Sequence, residues 1–153
     1  ERGALEALAG ELGVASRVRW VGWVDEISAM AAAADVWVVP SRFEPLGNTV
    51  LDGWAHGLPV VATRTAGPLS LVGTRCQVLG TRNKEVGLAV LVEIDDVAEL
   101  ATEVQGLLDN PTRAAAMAQA GEVEYVEKYS EEVVVDAFVK YYKGLKEKKE
   151  CVN

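Results

Sequence analysis

Residues 39–57 read Val-Pro-Ser-Arg-Phe-Glu-Pro-Leu-Gly-Asn-Thr-Val-Leu-Asp-Gly-Trp-Ala-His-Gly, and this stretch decides the fold class. The apolar run Val36 to Val39 before it has the character of a strand buried on both faces. Pro40 ends that strand, and a loop carrying one carboxylate, Glu44, follows. Gly47 then opens a helix predicted over 48–56, and a second carboxylate, Asp52, falls on its second turn. A helix start offers unpaired N–H groups and positive dipole charge to an anion. Two carboxylates beside it suit hydroxyl-rich groups attached to that anion, as in a nucleotide-sugar.

At these residues the chain resembles the retaining glycosyltransferases of family 4. Their donor-binding domains carry Pro-Ser-x-x-Glu-Pro-x-Gly, a second acid completing a Glu-x7-Glu pair, and then Ala-x-Gly-x-Pro-Val-Val-Ala. The matching residues are Pro40, Ser41, Glu44, Pro45, Gly47, Ala55, Gly57 and Pro59 to Ala62, with Asp52 as the second acid. The likeness extends upstream from Val18 to Asp35 and downstream to Gly67-Pro68, then more loosely from Asp95 to Leu145. It implies an α/β fold, a Rossmann-like doubly wound parallel sheet of the GT-B C-terminal domain, with C-terminal helices. Its strand order would be 3-2-1-4-5-6. The strands expected from residues 17, 35, 59 and 88 would be the third to sixth, and the first two would be missing. On this reading residues 1–153 are one partial nucleotide-sugar-binding domain, with 112–149 as a C-terminal helical segment.

The residues divide into roles. Gly47, Asn48 and Thr49 are read as a diphosphate cradle, since Gly47 lets the backbone approach a phosphate closely. The plainer alternative is a helix start with Asn or Thr as its cap. The resemblance gives Glu44 the catalytic place, contacting the donor sugar or stabilising its oxocarbenium-like charge. A surface ion pair with Arg42 is the alternative. The resemblance also has Asp52 accept hydrogen bonds from ribose hydroxyls; otherwise it is an acid complementing the helix dipole. Arg64, after a buried strand, is a donor-binding candidate facing phosphate or else a solvated arginine. Ser70 stands where the family carries a further acid. His56, the single histidine, is read as a helix-end residue. Trp37 and Trp54 are read as core, and one of Trp20 and Trp23 is expected to line a base pocket beside Gly22.

Composition narrows the classes. A net charge of −8 argues against nucleic acid as a partner. The two cysteines make no metal-ligand spacing, and the resemblance implies transfer without a metal held by an Asp-x-Asp motif, so neither metal nor cofactor is expected beyond the nucleotide-sugar substrate. Cys76 and Cys151 lie far apart, and no apolar run approaches a membrane span, so a reduced cytoplasmic setting is expected. The chain opens on Glu1 inside a helical pattern, which suggests a piece of a longer protein. An N-terminal acceptor-binding domain, and the family's basic residues for the leaving group, would then lie outside it. The isolated chain would be inactive, with backbone edges and an aromatic helix face left open. The alternative is a non-catalytic nucleotide-sugar-binding or interaction module.

The remaining segments read as follows. A helix is predicted over 2–13, ended by Gly13, and a strand over 17–22. A short helix over 25–34 is capped by Asp25, and a strand runs from Pro59 to Ala62. Residues 67–87 are predicted irregular, punctuated by Gly67-Pro68, Gly73, Gly80 and Gly87. Leu88 to Val92 is a strand, Asp96 starts a helix through Leu108, and 112–128 is a helix. Ser130 is expected to cap a last helix whose stripe is Val133, Val134, Ala137, Phe138, Tyr141, Tyr142 and Leu145, with Lys146, Lys148 and Lys149 at its end.

Overall fold

The computed structural model describes residues 1–73, 76–77 and 87–150. The predicted loop around Gly80, Cys151, and the side chains of Cys76, Lys146, Lys148 and Lys149 lie outside the described residues. Four strands, β1 (Trp37–Val39), β2 (Val60–Thr63), β3 (Cys76–Gln77) and β4 (Ala89–Val92), form one parallel sheet in the order β1-β2-β4-β3. Val38 pairs with Val61, and Ala62 with Leu91. The β-branched runs of β2 and β4 are buried at every position, as parallel strands covered on both faces require.

Strand alternation splits the core in two. Val60, Ala62, Ala89 and Leu91 face one side, where they meet Val50 and Trp54 of α3 (Asn48–Ala55) and Val72 of α4 (Ala66–Val72). Val61, Val90 and Val92 face the other side, against Leu100, Val104 and Leu107 of α5 (Val97–Leu108). The next helix, α6 (Pro111–Lys128), serves both. Its Ala114 and Met117 join the second cluster, and its Ala120 and Tyr125 join the first. Side-chain caps start both helices: Asp96 accepts from the N–H of Glu99, and Asn110 from that of Arg113. Buried Glu103 of α5 meets Arg113 of α6 at 3.2 Å.

Packing fixes α3 from two sides. A Cβ added at Gly53 would sit 2.7 Å from Val60 Cγ2, so the helix lies directly on the sheet. A Cβ added at Gly121 of α6 would sit 2.5 Å from Trp54 Cδ1. Between them Trp54 is fully buried, and its indole N–H donates to the Leu88 carbonyl at 3.0 Å.

Several expectations need correction. Residues 17–22 form no strand; Ala15–Arg17 is a single 3-10 turn and the following residues pair with nothing in the described sheet. Alternation alone does not make a strand when no neighbour accepts its backbone hydrogen bonds. The short helix is α2 (Ser28–Ala31), and Asp25 does not cap it: its carboxylate accepts the indole N–H of Trp23 at 2.9 Å. The stretch predicted irregular from 67 contains α4 and β3. Pro68 is the third residue of α4, where a helix N–H has no intrahelical partner to lose. Ser130 does not cap α7 (Glu131–Glu150) through its hydroxyl, which donates back to the Val126 carbonyl at 3.0 Å. The helix of residues 2–13 is α1 (Arg2–Glu11), closed by Gly13 at a φ of 69°. The stripe of α7 is exposed, with Phe138, Tyr141 and Tyr142 each more than half accessible. No helix among the described residues is long and apolar enough to cross a membrane.

The Trp54 contact predicts a stability effect. Trp54→Phe keeps an aromatic ring but strands the buried Leu88 carbonyl, and should cost about 1–3 kcal/mol. A lower urea midpoint with an unchanged m-value would show it. An unchanged midpoint would remove the indole hydrogen bond from the account.

Candidate functional site

The strands end together, so the loops after β1, β2 and β4 gather at one edge of the sheet, where open α/β folds carry their ligands. The hydroxyl of Thr63, at the end of β2, donates to the Ser41 carbonyl and so holds the loop after β1. That loop turns at Gly47, whose φ of 83° is left-handed and favours glycine. A second contact fixes the turn. The N–H of Gly67 in α4 donates to the Glu44 carbonyl at 2.8 Å. A Cβ at Gly67 would stand 2.2 Å from the Gly47 nitrogen, so the two chain segments touch backbone to backbone.

This turn aims the Glu44 side chain at the start of α3. One carboxylate oxygen accepts the Gly47 N–H at 2.8 Å, and the other accepts the Thr49 hydroxyl at 3.3 Å. The backbone N–H groups of Asn48 and Thr49 have no hydrogen-bond partner among the described residues. The positive end of α3 thus carries one carboxylate already seated and two donors open. Glu44, Gly47, Asn48 and Thr49 are brought together as the spacing predicts.

Asp52 lies on the same helix, roughly 6 Å further along its axis by the helical rise. It is exposed, and its carboxylate has no hydrogen bond or ion pair among the described residues. Its carbonyl accepts from the His56 ring at 2.7 Å, so Nδ1 of His56 carries the proton. Nε2 lies 3.3 Å from the Ser28 hydroxyl, and the ring stacks on Trp37 at 6.3 Å. His56 closes the far end of α3, as a structural residue does.

Among the described residues two cations stand at the sheet edge, and both are paired. Arg64 lies 2.9 Å from Glu93, which reduces the charge it can offer a phosphate. Arg42 does not pair with Glu44; it meets Asp95 at 2.6 Å. That hydrogen bond, then the charge of Asp95, raises the pKa of Arg42 above its usual value. Asp95 itself takes a φ of 66°, which Asp tolerates better than most residues. Sequence reading missed this pair; the only sign was an Asp-Asp doublet before α5. Near the sheet's amino edge, hydrogen bonds from the Ser28 hydroxyl and N–H lower the pKa of Glu26, with His56 adding to the effect.

Beside the Glu44 turn, a pocket of about 100 Å³ lies between Pro40, Thr63, Glu93 and Asp96. Glu44 and Asp52 do not line it. Trp23 is 91% exposed and Trp20 is partly exposed, and neither lines the pocket beside the Glu44 turn. Ser70 turns its hydroxyl back onto the Gly67 carbonyl at 2.8 Å.

The backbone contact predicts that Gly67→Ala, an ordinary change for a helix, disrupts this site. It should cost about 1–3 kcal/mol by overpacking. Exchange of the Gly47 amide with deuterium should quicken in the variant. Wild-type protection there would mean that the two segments separate without penalty.

Comparison with known proteins bears on the whole chain. The model of the family described as glycosyl transferases group 1 matches residues 1–110. The lipopolysaccharide core biosynthesis glycosyltransferase LpsE of Rhizobium meliloti is 37% identical over 91% of this chain, which covers 38% of that protein. A 2-deoxystreptamine glucosyltransferase of Streptomyces kanamyceticus is 33% identical over 79% of the chain, covering 29% of its own length. Among solved structures, a sucrose-phosphate synthase from Thermosynechococcus elongatus superposes with a TM-score of 0.80 at 27% identity, over 94% of this chain and 34% of that one. Anabaena HepE, solved in complex with UDP, gives a TM-score of 0.80 at 20% identity, over 93% and 36% of the two chains. The second likeness shows the GT-B fold alone. The chain therefore spans well under half the length of these relatives, and the family match, running through the Glu44 turn and α3, shows that it belongs to the group 1 glycosyl transferases.

Proposed function

We propose that this chain is the donor-binding part of a retaining glycosyltransferase that moves a sugar from a nucleotide-sugar, a uridine diphosphate sugar or a near relative, to an acceptor hydroxyl. The observation that carries this reading is the start of α3, where a seated carboxylate stands beside two open N–H donors at the carboxyl edge of a parallel sheet. The donors of Asn48 and Thr49 take diphosphate oxygens. They stabilise the charge that grows there as the sugar–phosphate bond breaks. Glu44 accepts a hydroxyl of the donor sugar and faces the positive charge developing on its ring. Asp52, a turn further on, is the acceptor for ribose hydroxyls. Arg64 contributes to phosphate binding only as far as Glu93 releases it.

The exposure of the site supports a shared cleft. Asn48 and Asp52 are exposed and Glu44 and Thr49 half-buried, so these groups stand on an open surface rather than inside an enclosed pocket. The surface around Glu44 then forms one wall, and an acceptor-binding domain supplies the other. Because transfer needs both walls in register, the 153-residue chain alone should show no turnover.

Calorimetric titration of the intact protein with uridine diphosphate tests the cradle. Gly47→Val introduces a side chain where φ is 83° and where Leu71 and Gly67 already crowd the Cβ position. It should weaken nucleotide binding by an order of magnitude or more, about 1.4 kcal/mol per tenfold. Unchanged affinity would remove the diphosphate from the start of α3. In turnover assays Glu44→Ala should be far more damaging than Asp52→Asn; the reverse order would exchange the roles given to the two acids. Nucleotide binding without any transfer would favour a binding module, a reading to which the internally satisfied Ser70 also lends itself.

A further inference from the structure

The reading of Thr49 as part of a phosphate cradle does not account for where its hydroxyl goes. A carboxylate only accepts hydrogen bonds, so the proton between Thr49 Oγ1 and Glu44 Oε2 belongs to Thr49 and points at Glu44. The two oxygens of Glu44 are held unequally. Oε1 is fixed by the Gly47 N–H at 2.8 Å, a contact set by the backbone of the turn. Oε2 has the Thr49 hydroxyl at 3.3 Å, longer than a usual O–H···O bond. Without the hydroxyl, Oε2 has no partner among the described residues, and the carboxylate is free to swing about its single fixed oxygen.

We propose that Thr49 is a positioning residue for Glu44: its hydroxyl holds Oε2 so that the remaining lone pairs face the donor sugar, and only its backbone N–H serves the diphosphate. The inference rests on the reading of Glu44 as the group that contacts the sugar, and divides one residue between two tasks. The long hydroxyl contact tightens when a sugar hydroxyl reaches the other lone pair of Oε2, as catalytic hydrogen bonds commonly do on loading. Thr49 thereby orients the carboxylate without touching the reacting atoms.

The test compares Thr49→Val, which keeps the shape and the backbone N–H but removes the hydroxyl, with Thr49→Ser, which restores it. The intact protein is first screened against uridine, guanosine and adenosine diphosphate sugars for the donor that supports transfer. With that donor, Thr49→Val should lower kcat about tenfold, the scale of a small misplacement in an active site. Affinity for the nucleoside diphosphate alone and the melting temperature should stay at wild-type values, and Thr49→Ser should restore kcat. An unchanged kcat in Thr49→Val overturns the proposal. So does a loss of diphosphate affinity matching the loss of kcat, because that places the hydroxyl on phosphate. A wild-type protein that transfers no sugar from any of these donors overturns the functional reading itself, and the role of Thr49 with it.

Discussion

The site depends on one close approach, that of Gly67 to Gly47. The first turn of α4 lies against the loop after β1 with no room for a side chain between them, and a hydrogen bond from Gly67 to the Glu44 carbonyl locks the contact. Once that carbonyl is held, the Glu44 side chain needs only to fold over the following turn to reach the Gly47 N–H. The direction of α3 is set at its other end, where Gly53 rests on β2 and Trp54 is enclosed by Gly121 of α6. A carboxylate, a helix start and the strand ends are thus placed by backbone contacts rather than by long side chains. Short-range backbone packing of this kind gives little freedom to drift, which suits groups that must meet a ligand within a fraction of an ångström.

The sequence made the centre of this arrangement legible and its borders less so. The run from Val36 to Val39, the glycine at 47 and the apolar runs read as strands from Pro59 and Leu88 each carry a local signal, and the structure starts the three strands one residue later, at Trp37, Val60 and Ala89. Asp96 and Asn110 announced their helices because a capping side chain acts within three residues. Residues 17–22 have a strand's alternation but no strand, since pairing is a property of two segments and no described strand pairs with this one. The helix from Ala66 to Val72 was hidden by Gly67-Pro68, a pair that reads as punctuation in isolation. In the first helical turn, however, proline gives up nothing and glycine makes room for a neighbouring backbone. Among the site residues, Glu44 and Gly47 could be identified from spacing. The partnership of Arg42 with Asp95, across 53 positions of sequence, could not.

Those ion pairs shape the electrostatics of the sheet edge. Arg64 and Arg42, the two arginines of the loops after β2 and β1, are both matched to acids on the loop after β4. They tie the three loops together. Exposed pairs of this kind contribute little to stability and weaken as salt rises. With a net charge of −8 on the chain as well, attraction of an anion toward this face falls, among the described residues, to the backbone N–H groups of α3.

The position of α6 across both faces has a consequence for how the chain comes to be folded. Neither half of the core is complete until residues 111–128 arrive: Met117 closes one side of the sheet and Ala120 and Tyr125 the other. During synthesis, β1, β2 and β4 therefore leave the ribosome well before the helix that seals them. Their apolar surfaces wait uncovered for the time needed to make some tens of residues, a few seconds at roughly 5–20 residues per second. Parallel strands with partners far apart in sequence are slow to assemble in any case. The chain is thus most exposed to wrong association, or to capture by a chaperone, in the interval before α6 emerges, and docking of that one helix commits both faces of the sheet together.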